Sequence, residues 1–398
     1  MKILLLTSLY PVPENRTNTT SVVHYFAREW VKLGCEVKVI HNENKFVLPL
    51  YFLPRFLKEF VESYFGVRIP RLHQRSRLNY NLDGVTVYRV PILKVIPFGL
   101  FSRRALRKQV KSILSICEKD NFSPEVICGH WEYPQLPLVI ALKSTFTPAR
   151  TVLVFHGIHY VRKYPNFRAE YSKIDLLGFR SKSLRDSFLA HVPGSFDTFI
   201  CYSGIPDEFV YKGDSPRHFC KGVRSFAFVG LMIKRKYPNL VFDCLIESKF
   251  SQDFSLKYVG EGTELAHIKK TVRTSAYSEK VSFLGRIDRL QVLDVLRSTD
   301  CFIMISKDEA FGLVYLEAML AGCIVIASVG EGVDGIILDG YNGFLIKSGS
   351  SIELVELLNR VSEMRSEELK VISENAINTA RKMSDSSVAL EYFDVFRN

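Results

Sequence analysis

The sequence predicts an α/β chain of two successive halves, each with a parallel sheet, facing a central cleft. Three observations carry this. Short apolar runs of strand type recur along the chain, stretches with apolar residues at helical spacing separate them, and the alternation breaks once near residue 210 before restarting. KILLLT (2–7) and EVKVI (36–40) bracket a stretch in which Val23, Phe26, Ala27 and Trp30 fall at helical spacing, and Gly34 stops it. Strand, helix and strand within about 40 residues make a βαβ unit, and such a crossover joins parallel strands.

The first half continues with VTVYRV (85–90), a basic helix from Arg103 to Lys119, VICG (126–129), a helix near 134–144, TVLVF (151–155) and FDTFICYS (196–203). Around Asp207–Lys221 the chain turns polar and irregular, as a linker does. Alternation restarts with SFAFVG (225–230), a helix over 238–249, SLKYVG (255–260), a helix over 262–275, VSFLG (281–285), a helix over 289–298 and CFIMIS (301–306). A helix from Val314, CIVIAS (323–328), GFLI (343–346) and two long helices (351–364, 366–382) follow. The expected domains are 1–210, 211–382 and a closing segment 383–398, whose Tyr392, Phe393 and Phe396 suit packing back on the first domain.

With 398 residues, 47% hydrophobic and 24% charged, the chain can bury two or three cores, and collagen-like and disordered classes are excluded. Eight scattered Cys with no CxxC pair give neither a zinc set nor a disulfide framework, which points to a reducing compartment. The apolar start runs into Pro11 too soon to span a bilayer and reads as a buried strand rather than a signal or anchor. The net charge of +11 is localised: between Lys45 and Lys111 lie fourteen Lys and Arg against three Asp and Glu, so the remainder is balanced. One basic region implies an anionic partner at one place.

The most informative segment is Ser306-Lys-Asp-Glu309-Ala-Phe311-Gly312-Leu313-Val314-Tyr-Leu-Glu317-Ala318, which follows an apolar strand and opens a helix. Unpaired N–H groups at that helix start form a site for phosphate, and Glu309 stands at a strand's carboxyl edge, where open α/β sheets bind ligands. Glu317 lies about two helical turns further on. Singly, Glu309 reads as a helix cap and Glu317 as a solvated helix residue; the whole segment together reverses that reading and points to chemistry.

Glu-x7-Glu with an internal Phe-Gly, a preceding Ser306 and a following Ala318-x-x-x-Gly322 resembles the signature of retaining nucleotide-sugar glycosyltransferases of family 4. VSFLGRID (281–288), STDCFIMIS (298–306), CIVIAS, Gly330–Gly332 and DGYNGFLI (339–346) resemble the flanking family segments, and Phe228-Val-Gly230 through Lys236 resembles the donor domain's first strand and phosphate-binding basic residue. The resemblance implies the GT-B fold of two Rossmann-like domains, with a nucleoside diphosphate sugar as co-substrate and no resident cofactor. It implies that Glu309 touches the transferred sugar, Glu317 the ribose, and the Phe311–Gly312–Leu313–Val314 turn the pyrophosphate. It places Arg235 and Lys236, with Lys234 as the alternative, on the leaving diphosphate, and Gly285, Arg286 and Ile287 near the base. His156, before Gly157 at the end of TVLVF, matches the family's histidine near the sugar; the other reading is a structural histidine. His130 holds the same topological position, and His24 reads as packing. No metal is expected, since no Asp-x-Asp pair exists. Two departures from the family pattern stand out: Thr17–Ser21 stands where the family has Gly-Gly or Gly-Ile in the first loop, and Leu231 where it often has an arginine after the donor-domain glycine.

Phe52, Phe56, Phe60 and Tyr64 recur every four residues inside the basic region, with Arg55, Lys58, Arg68, Arg71, Arg75 and Arg77 beside them. This reads either as a core helix or as an interfacial element on an anionic membrane, and the second is the expectation. Nucleic acid is not expected, because no nucleic-acid motif accompanies the charge. The expected protein is a cytoplasmic glycosyltransferase at the inner face of the plasma membrane, acting on a glycan or lipid-linked glycan in surface polysaccharide synthesis. A nucleotide-sugar epimerase or phosphorylase of the same fold, and an inactive glycan- or lipid-binding subunit, are the alternatives.

Overall fold

The computed structural model describes residues 1–397 apart from 13–21, 55, 59–60, 62–68, 70–76, 96–98, 212–216 and 218. The chain forms two compact units: Met1–Arg180, Arg185–Cys201 and Val388–Asn398 make the first, Ser181–Leu184 and Tyr202–Ser387 the second. The boundary thus falls ahead of the expected 210. Ile205 and Phe209 are buried in the second unit's core, and that burial draws the linker region into it.

The first unit contains β1 (Lys2–Thr7), β2 (Glu36–His41), β3 (Asn44–Lys45), β4 (Leu78–Leu82), β5 (Val85–Arg89), β6 (Ile92–Leu93), β7 (Val126–His130), β8 (Arg150–Phe155), β9 (Leu176–Phe179) and β10 (Thr198–Ile200). Eight of these form one sheet in the order β10-β9-β8-β7-β1-β2-β5-β4, while β3 and β6 pair separately. All ladders are parallel except β4 on β5. Ile3 to Leu6 and Val152 to Phe155 are fully buried, as expected of parallel strands covered on both faces. Helices Val22–Lys32, Arg103–Lys119 and Glu132–Lys143 match the helical spacing closely.

Besides the two-residue β3 and β6, two strands of the large sheet escaped the sequence pattern. The half-polar β4 pairs with β5 through Asp83-Gly84, whose φ angles of 49° and 82° make the type I′ turn that suits a two-residue hairpin. In β9, Gly178 interrupts the apolar run because the Phe199 ring occupies the space of a side chain; a Cβ there would lie 2.6 Å from its Cζ. FDTFICYS contracts to the three residues of β10.

The helix Asp385–Arg397 closes the chain. Its Tyr392 and Phe396 lie edge-on to Trp30, and the Trp30 indole N–H donates to the Ala389 carbonyl at 3.0 Å. In the expected aromatic stripe, Phe52 and Phe56 are 69% and 68% exposed, so neither belongs to a core. Residues 56–58 are helical, and Lys58 is partly exposed. Arg55, Phe60, Tyr64, Arg68, Arg71, Arg75 and the Thr17–Ser21 loop lie outside the described residues. Among the described residues no helix is long and apolar enough to cross a membrane.

The second unit holds β11 (Ser225–Val229), β12 (Ser255–Val259), β13 (Val281–Gly285), β14 (Cys301–Ile303), β15 (Ile324–Ser328) and β16 (Phe344–Ile346), ordered β13-β12-β11-β14-β15-β16 and parallel throughout. CFIMIS pairs only over Cys301–Ile303; Met304, Ile305 and Ser306 continue past β14, all fully buried. Both units are therefore Rossmann-like, with a switch point between β1 and β7 in the first and between β11 and β14 in the second.

Candidate functional site

At the carboxyl edge of β11 and β14, charged side chains from two loops meet. The β11 loop passes Gly230 and a short 3-10 turn at Lys234–Lys236. Gly230 stands close under the next loop: a Cβ on Gly260 would lie 2.0 Å from the Gly230 oxygen. The Lys236 ammonium lies 3.1 Å from Glu309 Oε2, and the Arg235 guanidinium 3.6 Å from the same oxygen. Lys236 is also 3.6 Å from the Met304 sulfur, whereas Lys234 is exposed. Arg235 donates to the carbonyls of Lys307 and Asp308 at 3.1 and 3.2 Å, and the Lys307 N–H donates back to the Arg235 carbonyl at 2.8 Å. These bonds stitch the two loops together.

Glu331 is a site residue that the sequence reading passed over. Its Oε2 accepts the Glu309 N–H at 2.7 Å, and burial raises its carboxyl above the usual range. Its sequence signal was its place between Gly330 and Gly332, directly after an apolar strand. Gly332 packs on backbone, since a Cβ there would lie 2.5 Å from the Phe311 Cα. Gly312, at φ 81°, caps the helix Leu313–Leu320 with no side chain between it and Tyr315. The Tyr315 hydroxyl donates to the Met304 carbonyl at 2.6 Å, fixing that helix to the end of β14. The N–H groups of Leu313 and Val314 open the helix, where no intrahelical acceptor exists for them.

Glu317 is placed differently from Glu309. It is 5% exposed and accepts from Arg289 Nε at 2.6 Å, and the Arg289 guanidinium lies 5.3 Å from the Phe209 ring centre. This pair ties the helix Leu313–Leu320 to the start of Arg289–Arg297, just after Gly285 and Ile287. Gly285 has φ 66°, and Ile287 packs against the core. Phe311 is buried against Tyr202. Leu231, in place of the arginine the resemblance leads one to look for, is 60% exposed.

The first unit's carboxyl edge has another character. His130 ends β7 and is fully buried; its Nδ1 lies 3.0 Å from His156 Nε2, just past β8. Burial, then the charge of Arg180, pushes both imidazoles well below their ordinary range, so they are neutral near pH 7 and one donates to the other. His156 stacks on Trp131 at 4.0 Å and 12°, and Trp131 reaches it from a left-handed backbone, φ 65°. A buried amide chain supports this edge. Gln109 donates to Asn42 at 2.7 Å, Asn42 to Gln135 at 3.0 Å, and Gln135 to Ser8 at 2.9 Å and the His130 carbonyl at 3.0 Å. Above it opens a cavity of about 350 Å³, lined in part by Ser8, Lys94, Trp131, Glu132, His156 and Tyr160. Glu132 accepts from the Tyr171 hydroxyl, yet burial still pushes its carboxyl up to about 7. His24 is structural, as expected: it bridges the Tyr10 hydroxyl and Asp83, each at 2.8 Å. Among the described residues no group of three or more His, Cys, Asp or Glu is placed to hold a metal ion.

Comparison with known proteins bears on this second-unit site. Residues 218–379 match the family model of glycosyl transferases group 1. An uncharacterized glycosyltransferase of Methanocaldococcus jannaschii is 23% identical over 336 residues, covering 78% of this chain and 83% of that protein. Sucrose-phosphate synthase from Thermosynechococcus elongatus superposes with a TM-score of 0.70 at 16% identity, covering 100% of this chain and 98% of that one. Anabaena HepE, solved with UDP, gives 0.69 at 17% identity, with both chains covered in full, 100% each. Residues 218–379, which contain the Arg235–Lys236–Glu309 cluster, thus match the family of glycosyl transferases group 1, in a chain with the GT-B fold of the glycosyltransferases it resembles.

Proposed function

We propose that this protein moves a sugar from a nucleoside diphosphate sugar to an acceptor with retention of anomeric configuration, its second unit taking the donor and its first the acceptor. The reading rests on one coincidence: the Arg235–Lys236–Glu309 cluster lies at a sheet edge suited to phosphate, inside the segment that matches the group 1 family. UDP in the HepE structure makes a nucleoside diphosphate the natural probe.

In this reading Glu309 pairs with the two cations in the free protein and turns to the sugar hydroxyls when donor arrives. Arg235 and Lys236 then take the diphosphate, whose charge grows as the bond from sugar C1 to phosphate oxygen breaks. The N–H groups of Gly312, Leu313 and Val314 hold the pyrophosphate, Glu317 the ribose, and the Gly285–Ile287 loop the base. The acceptor oxygen bonds to C1 on the face the diphosphate leaves, and its proton passes to the departing phosphate, so no side-chain base is invoked. Side chains and a helix end supply the positive charge, and the reading invokes no metal. The basic region and the exposed Phe52 and Phe56 favour a lipid-linked glycan acceptor at the cytoplasmic membrane face, in surface polysaccharide synthesis.

The test is a panel of nucleotide sugars scored by thermal stabilisation and turnover, with the product's anomeric configuration read by NMR. One donor should stabilise the protein and yield a glycoside of unchanged configuration. An inverted product overturns retention. A changed sugar still on its nucleotide, formed without acceptor, marks an epimerase.

A further inference from the structure

The first unit's cavity contains a cation that the proposed chemistry does not yet use. Lys94, directly after β6, is 5% exposed, and its ammonium stands 5.3 Å from the Phe101 ring centre. Among the described residues no carboxylate pairs with it, and Glu132 in the same cavity is engaged by the Tyr171 hydroxyl instead. Burial disfavours its charged form, and a second cation, Lys163, acts on it in the same direction. An ammonium buried without a counter-ion beside a like charge is unfavourable on both counts, and natural sites keep such a group where an anion comes to it. Its backbone is held, since the Lys94 N–H donates to the Lys45 carbonyl at 2.8 Å in the β3–β6 pair. Neutral donors share the cavity: the Tyr160 and Ser8 hydroxyls and the Asn44 amide.

We propose that this cavity seats a phosphate-sized oxyanion carried by the acceptor, with Lys94 as its buried counter-charge. The proposal rests on the first unit being the acceptor-binding one. Lys94 supplies the charge, and the hydroxyl and amide donors complete the oxygen shell, so an acceptor lacking the anion leaves a buried cation unpaired and is rejected.

Calorimetric titration of the full chain with inorganic phosphate, under saturating UDP so that the diphosphate site is filled, is the direct test. Wild type should bind phosphate and Lys94→Met should weaken it at least about tenfold, while Lys94→Arg retains it. Lys94→Met replaces an unpaired buried charge by an apolar chain of similar shape, so its melting temperature should hold or rise. Equal phosphate binding by wild type and Lys94→Met, or none by wild type, overturns the proposal. If wild type fails to bind UDP, the donor reading falls while the Lys94 comparison remains readable. Vesicles containing phosphatidylinositol separate the sources: capture that depends on Lys94 assigns the oxyanion to a lipid headgroup, and capture indifferent to Lys94 assigns it to a soluble acceptor.

Discussion

The carboxyl edges of the two sheets occupy equivalent topological positions and differ in kind. In the second unit the edge is an ion cluster, with Lys236 and Arg235 closing on Glu309. In the first it is an aromatic-lined recess with one buried cation, Lys94, among otherwise neutral groups: two uncharged imidazoles, a stacked Trp131 and a carboxyl that keeps its proton to about pH 7. On the proposed reading the difference follows from what each edge stabilises. A site that takes growing negative charge needs fixed cations. A site that positions a hydroxyl-rich molecule needs shape and neutral hydrogen-bonding groups, with one buried cation for selectivity.

The sharpest test of the contrast is Glu309→Ala. On the proposed reading this residue faces the reacting sugar, and its loss should lower kcat by about 10³ with the melting temperature little changed. A variant that keeps most of its kcat would place Glu309 among structural ion pairs, and the second edge would lose its special status.

Glu132 tests the other side. Its carboxyl stands near 7 in the fold against an ordinary 4.5. Between those values the unfolded chain has lost its proton while the folded protein retains it, so stability falls as pH rises across that window. The loss is on the order of 3 kcal/mol and is complete above pH 7. Glu132→Gln cannot titrate, so urea midpoints at pH 5 and pH 8 should converge for the variant relative to wild type. An unchanged pH slope would mean that Glu132 is ionised in the fold and that the first edge carries a carboxylate beside its cation.

Arg235→Ala with Lys236→Ala should cost about 10² in kcat and less in KM, because the contact strengthens as the leaving charge develops. Affinity for a nucleoside diphosphate should fall more than for the monophosphate. Equal losses would mean that neither cation sees the terminal phosphate, and the cluster would be a loop brace like the Arg235 bonds to Lys307 and Asp308.

The same contrast explains what was legible in the sequence. The second edge is written mostly in one contiguous segment, Ser306 to Ala318, where strand end, glycine turn and helix start must follow one another. The first edge is assembled from Ser8, Asn44, Lys94, Trp131, Glu132 and Tyr160, which share no spacing, so only His130 and His156 at strand ends announced it. Pairings across elements were illegible for the same reason: nothing in the sequence ties Arg289 to Glu317 or Glu331 to the Glu309 N–H. The hairpin at Asp83-Gly84 carried a readable turn signal, but β4 lacked the apolar run sought, because an edge strand facing solvent need not have one. Buried parallel strands must be apolar throughout, and most of them were found to within one or two residues.

The smallest expected effect concerns the surface. Phe52 and Phe56 are 69% and 68% exposed beside the basic region, an arrangement that costs solvation unless an apolar phase receives the rings. Full burial of an aromatic ring contributes about 1.5–3 kcal/mol, and shallow insertion at a headgroup boundary roughly half of that. Basic residues near an anionic leaflet add about 1 kcal/mol each at low salt. Phe52→Asp with Phe56→Asp should therefore weaken binding to phosphatidylglycerol vesicles about tenfold or more, and raised salt should weaken the wild type as the Debye length contracts. Because both rings are already in water, the double variant should melt with wild type. Unchanged vesicle binding would move the contact to the basic helix Arg103–Lys119 alone. A wild type that ignores vesicles at low salt would make the acceptor soluble and leave the two phenylalanines without a membrane role.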